Sequence, residues 1–149
     1  MSELRDLYQE VIIDHNRCPR NFRILEDATH EAEGFNPLCG DRVQIFLKIA
    51  SGIIQEVTFQ GSGCAISTAS ASLLTEQLRG KSLAEARQLF DQIHVLLTDN
   101  STESTFNDLG KLEVLSGVKE FPARVKCASL AWHTLRSALI KSNKPITTE

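Results

Sequence analysis

The sequence predicts an α+β fold in which helices pack on one face of a small antiparallel β-sheet. Four aliphatic residues, Val43, Ile45, Leu47 and Ile49, alternate with Gln44, Phe46 and Lys48, which is the spacing of a half-buried strand. Ser51-Gly52 then forms a two-residue hairpin turn, and Ile53 to Gln60 returns as the next strand. Elsewhere apolar residues recur every three or four positions, as they do in amphipathic helices. Because the helices flank one group of strands, we expect a sheet layer beneath a helix layer.

The first helix is predicted over about residues 3–15, before the sheet begins. Its apolar face consists of Leu4, Leu7, Tyr8, Val11, Ile12 and His15. Cys18-Pro19 ends this helix, and a short strand is predicted between Thr29 and Gly34. The six residues from Asn36 to Asp41 (NPLCGD) form a turn by composition.

A glycine-rich turn joins the predicted hairpin to the second helix. Gly61-Ser62-Gly63 permits a sharp strand-to-helix turn, and Ser62 is a suitable helix cap. Cys64 is predicted in the first helical turn, where free N–H groups and the helix dipole favour a thiolate. Short side chains from Ser67 to Ser72 allow close approach of another backbone or a ligand, and Gly80 ends the helix.

Two further helices are predicted in the second half of the chain. Ser82-Leu83-Ala84-Glu85 is a capping box for the first of them. Its inner face is Ala86, Leu89, Phe90, Ile93 and Leu97. Residues 98–110 are predicted to form an exposed loop, and a short helix is predicted near residues 111–115. Pro122 begins the last helix, whose inner face is Val125, Ala128, Trp132, Leu135 and Leu139, and the tail from Ser142 is expected to fray.

Length and composition predict one soluble globular domain over residues 1–149. A net charge of −3 gives no general attraction to nucleic acid or to anionic membranes. No apolar run is long enough for a membrane span, and charged residues interrupt the N-terminal region where a signal peptide would lie. We therefore expect a cytoplasmic protein with neither nucleic acid nor membrane as a partner. Cysteines there are more often free, metal-bound or catalytic than disulfide-bonded.

Three cysteines lie at predicted element boundaries: Cys39 in a turn, Cys64 at a helix start and Cys127 early in the last helix. Asp41 is close enough in sequence to reach the same point as Cys39. Three thiolates and a carboxylate suit a tetrahedral zinc ion or iron in a cluster. The spacing contains no CxxC pair, however, and on spacing alone small buried hydrophobic cysteines are the more common case.

A carboxylate among thiolates is a more exchangeable ligand than another thiolate, so such a site suits turnover better than a closed structural site. Arg124 and Lys126 flank Cys127 in sequence. They either offset the negative charge of the ligands or form a solvated helix face.

Three motifs together resemble the NifU/IscU superfamily of iron–sulfur cluster assembly proteins. They are Asn36 to Asp41 (NPLCGD), Gly61 to Ser67 (GSGCAIS) and Phe121 to Ala128 (FPARVKCA). The resemblance covers nearly the whole chain and implies a SufE/NifU-like fold. It also implies that Cys39, Asp41, Cys64 and Cys127 are the ligands of a metal or cluster.

Within this superfamily the sequence resembles the SufU-type branch. The IscU type has a histidine immediately before the last cysteine and a Leu-Pro-Pro-Val-Lys segment, whereas this chain has Lys126 and a different segment there. The polar stretch from Thr98 to Gly110 resembles the SufU-type insertion. Cys18, His30, His94 and His133 match no ligand position of the family. His15 continues the apolar face of the first helix and is predicted to be a hydrogen-bonded residue at the helix end.

The SufU resemblance implies a zinc-dependent sulfur acceptor that works with a SufS-type, pyridoxal-phosphate-dependent cysteine desulfurase. The resemblance also favours Cys39 as the acceptor of the persulfide sulfur. The sequence gives this modest support, because Cys39 lies in a turn that can move while Cys64 and Cys127 are predicted on helices. The sulfur would then pass to downstream iron–sulfur assembly machinery. Two alternatives use the same residues: a scaffold on which a [2Fe–2S] cluster is assembled, and a purely structural zinc module. Whether the protein is itself an enzyme, a sulfurtransferase, is left open by the sequence.

Overall fold

The computed structural model describes residues 2–37, 40–98, 115, 118, 122–140 and 146–147. The described helices are α1 (Ser2–Arg17), α2 (Ala65–Leu78), α3 (Leu83–Thr98) and α4 (Pro122–Leu139). The described strands are β1 (His30–Asn36), β2 (Asp41–Ala50), β3 (Ile53–Ser62) and β4 (Ile146–Thr147). The predicted α+β class is confirmed, with element ends that differ from the prediction by a few residues.

The strands form one sheet in the order β3-β2-β1-β4. β2 runs antiparallel to both β1 and β3. The β2–β3 hairpin turns at Ser51 and Gly52, whose φ values of 54° and 75° are both positive, as a type I′ turn requires. β4 pairs in parallel with β1 through Gly34 and Phe35. The sequence predicted a fraying tail, but the edge of β1 offers main-chain groups with which these two residues pair.

α2 and α4 cover one face of the sheet, with α1 packed on α2 and α3 packed on α4. Val43, Ile45 and Leu47 point from β2 into this layer and are fully or almost fully buried. Gly34 lets α4 approach β1 closely, because a Cβ there would overlap Thr134 and lie 3.1 Å from Leu130 Cδ1. α4 and β1 are therefore packed closely together next to the candidate site.

The small residues of α2 serve close helix packing. Ser70 Oγ donates to the backbone carbonyl of Ala128 at 2.6 Å and accepts from Trp132 Nε1 at 3.1 Å. The sequence predicted that these short side chains allow a backbone or a ligand to approach, and α4 is the backbone that does so. Because all three residues are buried, the contact fixes α4 against α2 without leaving a polar group unpaired.

The end of α1 is joined to α2 by a buried polar cluster. His15 Nδ1 lies 2.7 Å from Ser72 Oγ, and the backbone N–H of Arg20 donates to the same oxygen at 2.8 Å. His15 Nε2 lies 3.5 Å from Glu76 Oε1. His15 is therefore a buried, hydrogen-bonded residue at the end of a helix, as its place in the apolar stripe predicted.

The predicted capping box of α3 is present, with the Ser82 N–H donating to Glu85 Oε1 at 2.9 Å and the Glu85 N–H donating to Ser82 Oγ at 3.1 Å. The predicted loop from Thr98 to Gly110 and the short helix at 111–115 lie outside the described residues, except for Thr98, which ends α3, and Leu115, which is buried. In the part of the chain that is described, no helix has the length and apolar character needed to cross a bilayer.

Candidate metal centre

Asp41, Cys64 and Cys127 come together from three different elements. One ligand atom of each lies within 4.8 Å of the other two. Asp41 is the first residue of β2, Cys64 precedes α2, and Cys127 lies in the first half of α4. Asp41 is 2% exposed and Cys127 is fully buried, whereas Cys64 is half-buried. The group therefore has one accessible side, at Cys64.

Cys64 is tied directly to Asp41. Its backbone N–H donates to Asp41 Oδ1 at 2.8 Å, and its sulfur lies 3.9 Å from Asp41 Oδ2. Gly63 makes this approach possible, because a Cβ at that position would overlap the Asp41 carboxylate and lie 3.1 Å from Asp41 Cα. The glycine is thus required by the space that the carboxylate occupies.

Cys64 is the N-cap of α2, and its sulfur accepts the Ser67 N–H at 3.4 Å. The sequence predicted Ser62 as the cap and Cys64 inside the first turn. Ser62 instead ends β3, where it pairs with Arg42. The helix begins later than predicted because Gly63 and Cys64 form the turn around Asp41. The thiol still lies at the N-terminal end of the helix, where free N–H groups point toward it.

Asn36 is a functional candidate that the sequence analysis did not identify. It is fully buried at the end of β1 and pairs with Asp41 across the strands. Its Nδ2 lies 3.4 Å from Asp41 Oδ2 and 3.5 Å from Cys127 Sγ. The predicted strand ends at Gly34, which leaves Asn36 in the predicted turn from Asn36 to Asp41. Extending the strand by two residues would have placed Asn36 on the same inward face as Gly34.

Cys127 is positioned by the close packing of α4 on β1 and α2. The neighbouring basic residues lie nearer the surface, since Arg124 is exposed and Lys126 is half-buried. This agrees with a solvated helix face. Charge compensation of the candidate ligands by these two residues stays a prediction.

The remaining sulfur and imidazole groups fall elsewhere or outside the described residues. Cys39 is among the residues that the structure does not describe. Cys18 is exposed just beyond the end of α1. His30 Nδ1 lies 2.8 Å from Thr29 Oγ1, and His94 and His133 both contact the Phe90 ring. None of these described groups belongs to the Asp41, Cys64 and Cys127 cluster.

The donor set fits a thiophilic metal. Zinc takes Cys sulfur at roughly 2.3 Å and carboxylate oxygen at roughly 2.0–2.2 Å in tetrahedral sites, so neighbouring donors are about 3.5–3.8 Å apart. The 3.9 Å between Cys64 Sγ and Asp41 Oδ2 is close to this spacing. Two sulfurs and one oxygen that converge in a buried place could hold zinc with one further ligand, or iron in a cluster.

Comparisons with known proteins all identify the same family. The model of the NifU-like N terminal domain family matches residues 7–141. The zinc-dependent sulfurtransferase SufU of Bacillus subtilis (strain 168) is 37% identical over 140 residues, which cover 94% of each chain. The iron–sulfur cluster assembly scaffold protein IscU of Streptococcus pyogenes serotype M1 is 37% identical over 142 residues, covering 95% of this chain and 88% of the relative.

A solved structure shows the same fold. It is FiSufU from Fervidobacterium islandicum AW-1, a candidate iron–sulfur cluster assembly scaffold protein of the SUF system. The two structures superpose with a TM-score of 0.82 at 35% identity, covering 89% of this chain and 96% of the other.

Proposed function

Because this chain belongs to the NifU-like N-terminal domain family, we propose that it acts in iron–sulfur cluster assembly as a zinc-binding sulfur acceptor. The observation that carries the proposal is the buried convergence of Asp41, Cys64 and Cys127. A similar relative of nearly equal length is a zinc-dependent sulfurtransferase, which supports the choice of metal and reaction. The sulfur donor would be a SufS-type cysteine desulfurase, and the recipient would be later iron–sulfur assembly machinery.

In this proposal Asp41, Cys64, Cys127 and Cys39 hold the zinc ion. Bound zinc would keep the thiols deprotonated and restrain their oxidation. The carboxylate is the hardest and most exchangeable of these donors, which suits a site that must open during each turnover. The cysteines also need a reducing compartment, and the cytoplasm provides one.

The proposed transfer moves one sulfur atom between thiols. The Cys39 thiolate attacks the terminal sulfur of the desulfurase persulfide, and the sulfur–sulfur bond within that persulfide breaks. Cys39 then carries the persulfide with its proton, and the desulfurase cysteine leaves as a thiolate. The exchange needs no external oxidant or reductant, because one persulfide replaces another.

Cys64 and Cys127 are suited to stay in place during this step. Cys64 accepts the Ser67 N–H and donates its own N–H to Asp41, while Cys127 is fully buried. A desulfurase cysteine cannot reach a buried sulfur without opening the fold. Burial therefore makes Cys127 an anchoring ligand, and its two hydrogen bonds make the half-buried Cys64 the second. The proposal assigns the acceptor role to Cys39, which the family resemblance favours.

A second candidate function is that of a scaffold on which a [2Fe–2S] cluster is assembled. The similarity to the Streptococcus pyogenes scaffold protein favours it, since identity and coverage there nearly equal those to the sulfurtransferase. The same four side chains would hold the cluster, which would be cargo for another protein.

Metal analysis with a desulfurase assay tests the proposal. We expect aerobically purified protein to contain one colourless zinc per chain and to stimulate desulfurase turnover. Cys64→Ser and Cys127→Ser should lose the zinc, whereas Cys18→Ser, the matched control, should keep it. Brown protein with labile iron and sulfide and no stimulation would favour the scaffold. Loss of zinc in Cys18→Ser would overturn the ligand assignment.

A further inference from the structure

Asn36 places a buried amide against two of the three described candidate ligands. Its Nδ2 lies 3.5 Å from Cys127 Sγ and 3.4 Å from Asp41 Oδ2, and Asn36 and Cys127 are both fully buried. We propose that Asn36 is a positioning residue whose two N–H groups hold the Cys127 sulfur and the Asp41 carboxylate. Cys127 thereby remains a ligand and does not compete as the sulfur acceptor. The inference rests on the proposed function and deepens it.

Donor chemistry fixes the orientation of the amide. A thiolate and an ionised carboxylate accept hydrogen bonds but cannot donate them, and an asparagine amide nitrogen has two N–H donors. One donor is therefore available for each acceptor. The distance to sulfur is compatible with a hydrogen bond, because sulfur is larger than oxygen and N–H···S contacts are correspondingly longer than the usual N–H···O distance.

The carbonyl oxygen of the Asn36 side chain has no hydrogen-bond partner among the described residues. Asn36 Oδ1 is buried and accepts no hydrogen bond within the described part of the chain. Such unpaired buried groups are costly and uncommon in folded proteins, and they concentrate where function constrains the residue. An apolar residue at this strand end would avoid the cost, so the donating end of Asn36 must supply something that an apolar residue cannot.

The effect on chemistry follows from where the donor points. A hydrogen bond to a thiolate draws charge from the sulfur, lowers the energy of its lone pairs and makes it a weaker nucleophile. Asn36 therefore makes the Cys127 sulfur less nucleophilic, while its contact to Asp41 keeps the carboxylate beside Cys64.

Cobalt(II) substitution tests the hydrogen bond to sulfur. Loss of the donor in Asn36→Leu raises the energy of the sulfur lone pairs, so the thiolate-to-cobalt charge-transfer band should move to longer wavelength. Cobalt stoichiometry should be retained. Thr58→Val is the matched control and should leave the band in place. Thr58 is another fully buried polar residue of the sheet, and its hydroxyl oxygen has no hydrogen-bond partner among the described residues.

Nuclear magnetic resonance of cadmium-substituted protein gives a second readout. If Asn36→Leu does not fold, a measurement on the wild type alone tests the hydrogen bond to Cys127. In cadmium-substituted protein with nitrogen-labelled asparagine, the Asn36 side-chain amide protons should show coupling to the cadmium nucleus through the hydrogen bond.

The possible outcomes distinguish failure of the proposed metal centre from failure of the inference about Asn36. A wild type that binds neither cobalt nor cadmium overturns the proposed metal centre, and the role of Asn36 with it. A wild type that binds cobalt, together with an unmoved charge-transfer band in Asn36→Leu, overturns the inference about Asn36 alone. Absence of coupling between the Asn36 amide protons and cadmium in a cadmium-loaded wild type also overturns the inference about Asn36 alone.

Discussion

The backbone N–H of Cys64 donates to Asp41 Oδ1 at 2.8 Å. This bond ties the first residue of β2 to the cap of α2, so two candidate ligands are positioned by one contact. Gly63 follows β3 and precedes Cys64 in the chain, and the Asp41 carboxylate occupies the space that a side chain at Gly63 would need. The geometry of the candidate centre therefore depends on a residue that holds no metal itself.

Gly63→Ala should weaken zinc binding. The added methyl group would displace the Asp41 carboxylate, and changes to groups that orient metal ligands typically cost about 10–100-fold in affinity. We also expect a stability loss of about 1–3 kcal/mol from overpacking. Competition with a chromophoric chelator measures the first effect, and urea unfolding measures the second.

Gly80→Ala is the control for that experiment. Gly80 has a φ of +86° and open space around its Cα, so alanine there strains the backbone without touching the site. It should lose stability and retain wild-type zinc affinity. Equal zinc affinity in Gly63→Ala and Gly80→Ala would show that the Gly63 space does not set the position of Asp41.

Ser72→Ala should destabilise the junction of α1 with α2. The Ser72 hydroxyl serves both His15 Nδ1 and the Arg20 N–H, and both would lose a buried partner. Leaving buried polar groups unpaired costs about 1–3 kcal/mol, to be measured by urea unfolding of the metal-free protein. Ser62→Ala, at an exposed serine, should change stability by less than about 0.5 kcal/mol. Similar losses in both variants would contradict the role of the cluster.

His133 should make the metal-free protein less stable in mild acid. Burial, helped by the charges of His94 and Arg136, lowers the pKa of His133 below its ordinary value of 6.5. As the pH falls through 6.5, the unfolded chain takes up a proton that the folded protein still rejects, so unfolding becomes more favourable. The contribution of His133 is therefore complete above this pH and is lost below it.

Urea unfolding at about pH 7.5 and about pH 5.5 measures this dependence across the range in which histidine titrates. His133→Gln should lose less stability between the two values than the wild type. His30→Gln is the matched control, since His30 lies at the start of β1 beside Thr29, and it should retain most of the wild-type loss. An unchanged loss in His133→Gln would contradict the account.

Local patterns in the sequence were sufficient for most of the fold. The alternating pattern along β2, the Ser51-Gly52 turn and the Ser82–Glu85 capping box each depend on neighbouring residues, and all are present in the structure. The family resemblance is confirmed by the match over residues 7–141. β4 was missed because its pairing with β1 joins distant parts of the chain.

The candidate site was less accessible to local reasoning. Cys64 and Cys127 are far apart in sequence and form no recognisable ligand pair, so their proximity depends on the packing of α4 against β1 and α2. Asn36 was missed for a related reason, since its burial follows from pairing with Asp41 across two strands. The family resemblance supplied the ligand set, and its metal-binding role stays a prediction.

The central claim is that sulfur moves to Cys39 while Cys64 and Cys127 hold the metal. The direct measurement is mass spectrometry of trapped persulfides after incubation with a SufS-type desulfurase and cysteine. The account predicts added sulfur on Cys39, little on Cys18 or Cys127, and no stimulation of the desulfurase by Cys39→Ser, because a serine hydroxyl cannot carry a persulfide. Sulfur that appears first on Cys127, or no sulfur on any cysteine while a cluster assembles, would contradict it.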